Sequence, residues 1–336
     1  MRRGTFLLIV FLFGCVLFGG IIDALENAKN NSPTYLKLML DRQQAEDDYQ
    51  KALLEAKNKR QELSAELSRL RSENTYRESL KSFLSDFLDV YFGAVESQLA
   101  LEIAQLNLQM AEIDYREKKD LYDKGVGTIQ ELKNASATLI ESQRDLDSAK
   151  LSAEQAKRDF ESLIGVNVKV EVPTKLNLSF SLPTVDQLVD KSLTLAMARL
   201  NVQLAQMDLD GLVNPSQYTK NYYERNLKKA QADVQSYLQS LRKSYENQIQ
   251  SIKNSIKSIQ AQMEKVDVAK IQLDTVQKNY SAGVASERDV LNAKLAYANA
   301  RRTFLTQLKT LLKSACNVHV DAEQDFSKLL VAILGE

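Results

Sequence analysis

Tyr122-Asp-Lys-Gly-Val-Gly-Thr-Ile-Gln-Glu-Leu-Lys-Asn-Ala135 and Tyr280-Ser-Ala-Gly-Val-Ala-Ser-Glu-Arg-Asp-Val-Leu-Asn-Ala293 decide the fold. The stretches lie 158 residues apart, position 125 to position 283, and share Tyr, Gly, Val, Asn and Ala at matched places. Each reads as a tight turn between two long helices. Gly125 and Gly283 end the incoming helix, because a left-handed residue there carries no Cβ penalty. Thr128 and Ser286 are N-caps of the outgoing helix, and Glu131 and Asp289, three residues on, complete a capping box. Helix, turn and helix made twice is one large duplication, not an array of units of roughly 20–50 residues.

Outward from the first turn, Leu132, Ala135, Leu139, Ser142, Leu146, Ala149, Ala153, Ala156, Phe160 and Leu163 are spaced alternately three and four apart. That is the heptad seam of a left-handed coiled coil. Its Ala and Ser positions let neighbouring helices approach closely. A second seam runs through Ile249, Ile252, Ile256, Ile259, Met263 and Val266. The charged faces between seams read as solvated. From Thr34 to Lys124 the only glycine is Gly93 and there is no proline. An unbroken helix of that length would measure about 135 Å. A break is therefore expected near Arg71-Ser72-Glu73-Asn74, where the apolar spacing lapses.

The end of each copy gives a different register. Ile164-Gly165-Val166-Asn167-Val168 aligns with the segment from Ala315 to Val320 at an offset of 151, position 165 to position 316. The second copy then reads as one heptad shorter, a deletion that keeps the seam in phase. Between the copies, Val166, Val168, Val170 and Val172 alternate with polar residues, and after Pro173 so do Leu176, Leu178, Phe180 and Leu182. Period-two alternation predicts two short strands within 166–182. Each has about seven residues, short of the roughly 9–11 that cross a membrane. The expected organisation is a leader over 1–20, a first hairpin repeat over 21–183, a second over 184–320 and a tail over 321–336.

The leader begins Met1-Arg2-Arg3 and is uncharged from Thr5 to Ile22. Three readings stay open: a secretory signal peptide, a lipoprotein signal with Cys15 lipidated after Leu12-Phe13-Gly14, and an uncleaved anchor. All three export the chain. No later run has the length of a membrane span. Composition narrows the rest. The 336 residues hold 44 basic and 44 acidic side chains, so no electrostatic footprint points to nucleic acid. Only 11 glycines and 4 prolines leave little punctuation for anything but long helices. One histidine, His319, and two cysteines, Cys15 and Cys316, exclude zinc fingers, iron–sulfur clusters, c-type haem and a disulfide scaffold. Cys316 reads as a small core residue. No catalytic residue, cofactor or metal site is expected, and the chain does not read as an enzyme.

These residues resemble the outer-membrane efflux protein family, whose type is TolC. The resemblance rests on the two tips, on Ile22 to Pro33 at the start of the first copy, and on Val185 to Leu193 as its proline-free counterpart. It implies a mainly all-α protomer of two tandem helical hairpins with a short two-strand linker. Three such protomers would close six hairpins into an α-barrel at the periplasm and outer membrane. The implied function is a passive duct for efflux or secretion, working with a periplasmic adaptor and an inner-membrane transporter. Gly125, Val126, Gly127, Thr128, Gly283, Val284, Ala285 and Ser286 would contact the adaptor. Glu131 and Asp289 would lie near the narrow aperture, or act only as helix caps. Asn134 and Asn292 stand where other members carry acids. The family inserts two long strands per copy to build a membrane barrel. Here the stretch from Gln43 to Phe83 is charged and helical, and after Leu212 only a short loop runs to Tyr223. Tyr218, Tyr222 and Tyr223, beside Lys220, Arg225, Lys228 and Lys229, read either as a membrane-interface contact or as residues packed on a neighbouring helix. The missing strands also motivate another reading, a structural coiled-coil spacer or tether of the envelope without transport.

Overall fold

The computed structural model describes residues 20–165 and 176–334. Among them every regular element is a helix: α1 (Ile21–Asn31), α2 (Pro33–Glu55), α3 (Lys59–Asp123), α4 (Ile129–Leu163), α5 (Val185–Asp190), α6 (Leu193–Asp210), α7 (Gln217–Ser281), α8 (Glu287–Asp321) and α9 (Phe326–Leu334). The duplication is visible in the lengths. Helices α3 and α7 have 65 residues each, and α4 and α8 have 35 each. At 1.5 Å per residue these are rods of about 100 Å and about 50 Å.

The helices are arranged as an open, single-layered array. Towards the hairpin turns the order is α4, α3, α8, α7; towards the other end it is α2, α3, α6, α7. Helix α7 forms one edge throughout, and α4 followed by α2 forms the other. Among the described residues both edges lack an extensive partner.

The first seam faces α3: Ala135, Leu146, Ala153 and Phe160 are buried, and the other seam positions are half-buried. The second faces α8, with Ile252 and Ile259 buried. The core is thickest at mid-length. There Phe83, Leu84, Phe87, Leu88 and Phe92 of α3 meet Leu305, Leu308, Leu311 and Leu312 of α8, with Ile21, Leu25 and Ala28 of α1 alongside. Each fully buried large side chain contributes about 1.5–3 kcal/mol.

Three expectations are corrected. The break falls at Ala56–Asn58, not at Arg71–Asn74, which is continuous helix. Asn58 Oδ1 accepts from Gln61 N at 3.0 Å and Gln61 Oε1 accepts from Lys57 N at 2.6 Å, a reciprocal cap that starts α3. The apolar spacing lapses at 71–74 because Arg71 and Ser72 are exposed and Glu73 pairs with Arg42 at 3.3 Å, and Arg77 and Lys81 beyond them are polar and paired too. Arg77, only 6% exposed, donates to the carbonyls of Lys191 and Asp321 at 3.0 and 3.3 Å and pairs with Glu323. Lys81 pairs with Asp321 at 2.6 Å.

The second correction concerns register. Helix α8 ends at Asp321, 158 residues after the end of α4 at Leu163, so no heptad is missing. A shift of seven leaves a heptad seam in phase, and residue similarity alone therefore mistook 151 for 158. Third, Leu176–Leu182 is not a strand. Leu176, Leu178, Phe180 and Leu182 pack on the core, the residues between them are exposed, and Asn177 N donates to Ile333 O at 2.9 Å. The alternation is that of a half-buried extended chain without a ladder. The first expected strand, from Val166, lies outside the described residues. In the C-terminal stretch, Leu329, Leu330, Ile333 and Leu334 bury one side of α9 against α1 and α8.

Cys316 is 1% exposed, and burial pushes its thiol up to about 12, so it is a core residue. The leader, with Cys15, lies outside the described residues. None of the described helices is long and apolar enough to cross a membrane.

Candidate functional site

The two tips are built alike, bond for bond. At the first, Gly125 N donates to Tyr122 O at 2.9 Å, and Val126 N and Gly127 N both donate to Leu121 O at 3.0 Å. At the second, Gly283 N donates to Tyr280 O at 3.0 Å, and Val284 N and Ala285 N donate to Asn279 O at 2.9 and 3.3 Å. Gly125 and Gly283 sit at φ 73° and 75°, the left-handed region that glycine occupies freely. These bonds satisfy the last carbonyls of the incoming helix.

The outgoing helices start with full capping boxes. Thr128 Oγ1 accepts from Glu131 N at 3.2 Å, and Thr128 N donates to Glu131 Oε2 at 3.0 Å. Ser286 and Asp289 repeat this at 3.2 and 2.9 Å. The caps lower both carboxyl pKa values. For Glu131 the main cause is the Thr128 backbone N–H; for Asp289 it is the Ser286 hydroxyl. Both acids are therefore negative at neutral pH, at a helix N-terminus whose dipole favours that sign.

What the turns leave outside is apolar. Val126 is 75% exposed and Val284 is 80% exposed. Tyr122 and Tyr280 flank them, also exposed. Each tip thus presents a valine on a rigid, fully hydrogen-bonded turn. Asn134 and Asn292, one turn past the capping acids, are exposed as well.

One contact near the tips carries no sequence signal. Arg288, in the first turn of α8, reaches Glu117 of α3 at 2.7 Å and Asp114 at 3.7 Å. It ties the second hairpin to the first. Its counterpart in the first copy is Gln130, so the two tips differ in charge although not in backbone. Heptad reading finds pairs within a hairpin, and a cross-hairpin pair depends on a packing register that the sequence does not display.

Residues 216–317 match the family described as outer membrane efflux protein. Over that segment the chain is similar to outer membrane efflux proteins. Its fold is similar to that of CusC, from a study of conformational changes accompanying folding and transmembrane channel formation, at 14% identity and a TM-score of 0.54, covering 92% of this chain and 93% of that one. It is similar to a membrane protein from Pseudomonas aeruginosa at 11% identity and TM-score 0.55, covering 91% and 94%. The outer membrane protein VceC of Vibrio cholerae gives 14% identity and TM-score 0.53, covering 91% and 96%. At these identities the likeness establishes the fold. No curated relative matches by sequence. The family match includes the second tip, and the first tip is its structural copy 158 residues upstream.

The opposite end of this efflux-like chain is a rim of two turns, Ala56–Asn58 between α2 and α3 and 211–216 between α6 and α7. Arg60 and Asp208 join them at 2.7 Å. Both lie in the stretches where the resemblance implied strand insertions, and both are short turns. Tyr218 is exposed near the start of α7, and the Tyr222 and Tyr223 rings meet edge-on at 5.4 Å between centroids. Tyr222 thus packs on its chain neighbour, with its outer side exposed.

Proposed function

We propose that the chain is a subunit of a passive duct for efflux or secretion at the periplasm and outer membrane, closed by three copies. The observation that carries this is an open array four helices wide, with unpartnered apolar side chains on both edges. Helix α7 exposes Tyr237, Val268 and Ile271, while α2 exposes Leu36 and Leu40 and α4 exposes Ile140 and Leu151. Such an array is stable only when its edges are covered. One edge differs from the other, so the contact between copies is head-to-tail, which closes as a ring where the rotation per copy fits. Three copies make a ring of twelve helices around a lumen lined by the charged faces. A duct of mixed charge needs no catalytic group, and its selectivity comes from partners.

The duplicated tips support an adaptor contact. Gly125 to Thr128 and Gly283 to Ser286 offer the same valine-bearing turn twice, a repeated socket for a repeated partner that links the duct to an inner-membrane transporter. Glu131 and Asp289 stand beside it as caps near the narrow end. The test is light scattering followed by end-on electron-microscope class averages. A trimer with twelve helix densities around an open centre is expected. A monomer or a solid bundle would overturn the duct and leave the spacer reading, which the short rim turns favour. Adaptor capture that survives Val126→Ser with Val284→Ser would remove the tips from the proposal.

A further inference from the structure

We propose that the rim docks on the headgroup layer of an anionic membrane without crossing it. The inference uses the duct reading only to say which membrane the rim faces; its chemistry stands on the rim itself. Three large apolar side chains project there with almost nothing around them: Leu54 is 89% exposed, Val213 is 88% exposed and Tyr218 is 77% exposed. They belong to two separate turns that the Arg60–Asp208 pair holds side by side. Leu54 lies in the last turn of α2, Val213 in the second rim turn and Tyr218 at the start of α7, so all three stand on the rim as an apolar crown.

The cations around the crown are in excess and partly free. Positions 53–62 and 208–229 hold seven basic and five acidic residues. Lys59 is taken by Glu62, Arg60 by Asp208 and Lys220 by Glu224. Lys57, Arg225, Lys228 and Lys229 are exposed and have no ion pair among the described residues. Exposed leucine, valine and tyrosine beside exposed cations on the same rim fit a soft anionic surface. The aromatic and aliphatic groups enter the interface while the cations meet phosphates. A folded protein partner would instead need a deep pocket to receive side chains that stand out so far. The rim turns are too short to insert further, and none of the described helices crosses a membrane. Attachment at the interface is the mode left to this end.

The test uses the full chain with Cys15→Ser and Val213→Cys, labelled with a polarity-sensitive fluorophore. Cys316 is buried and its thiol is pushed up to about 12, so it takes no label. A matching Val126→Cys chain reports the tip. Vesicles of phosphatidylethanolamine with phosphatidylglycerol are expected to shift the 213 label to the blue and to leave the 126 label unchanged. Salt, and the combined change Lys57→Gln, Lys228→Gln and Lys229→Gln, are expected to weaken the shift. No shift at 213, an equal shift at 126, or an equal shift on neutral phosphatidylcholine vesicles would overturn the proposal. So would a blue shift that follows protein concentration without vesicles, because a second copy would then cover the crown. Light scattering on the same samples separates this result from the duct. A monomer whose 213 label still responds keeps the rim inference and loses the ring.

Discussion

Glu323 holds the left-handed conformation, φ 56°, at the place where the first copy has Gly165 at φ 107°. A side chain in that region costs about 1 kcal/mol. Glu323 offsets the cost by pairing with Arg77 and with Lys191, the latter at 2.5 Å. Arg77 is nearly buried, and its charge is answered by Glu323 and, at 3.8 Å, by Glu73. Glu323→Gly relieves the backbone but leaves the guanidinium only the longer Glu73 contact, and the net loss expected is about 1–3 kcal/mol. Arg77→Met removes the charge and is expected to cost less, since Glu323 keeps Lys191. Urea titration of both variants checks the order; a larger loss for Arg77→Met would contradict it.

The tip glycines test backbone strain without steric confusion. A Cβ at Gly125 or Gly283 meets nothing within 4 Å. Gly125→Ala and Gly283→Ala are each expected to cost about 1 kcal/mol, equally, through φ alone. Hydrogen exchange at 121–128 and 279–286 reads the effect locally. Unequal losses would mean that the two turns are not energetic copies.

Acid should loosen the tips. Glu131 and Asp289 have folded pKa values below their ordinary ones, so their stabilisation is complete above the ordinary carboxylate range. It is lost as pH falls through about 4 and below. Thr128→Ala and Ser286→Ala each cost about 1 kcal/mol at neutral pH. Glu131→Gln with Asp289→Asn should flatten the acid dependence of amide exchange at both tips. An unchanged profile would place the acid sensitivity elsewhere.

His319 adds a second pH dependence at mid-length. It is buried, its Nδ1 donates to Ala315 O at 2.8 Å, and burial lowers its pKa. The unfolded chain takes up a proton near pH 6.5 while the folded chain resists, so stability declines as pH falls below about 6.5. His319→Gln is expected to flatten the melting temperature between about pH 7 and pH 5, with the ordinary histidine range setting that window. A slope equal to that of the parent chain would refute the assignment.

The hairpins and tips were legible because local patterns encode them. A heptad names its buried face, and Gly-Val followed by Thr or Ser and an acid names a turn with its cap. What escaped is encoded in pairs far apart. The polar seam residues Asn74, Arg77 and Lys81 look like a break until Glu323 and Asp321 answer two of them. The cap at Asn58 looks like ordinary helix sequence. Leu176–Leu182 alternates because one side touches the core, and alternation does not say whether a second strand lies beside it. The tie from Arg288 to Glu117 was likewise invisible, since its partner lies 171 residues away.

The unlike edges of the array have a consequence for mixtures of chains. A chain damaged only along α7 still presents an intact α2 and α4 edge. It accepts one neighbour and offers nothing to the next. If the proposed ring forms, such a chain in a cell making both forms would terminate assemblies that sound chains have begun. It would remove more rings than its own share, and the defect would be dominant. Damage to both edges is milder, because that chain is never recruited. Inheritance of the defect thus follows from which helix is hit, with no reference to what passes through the lumen.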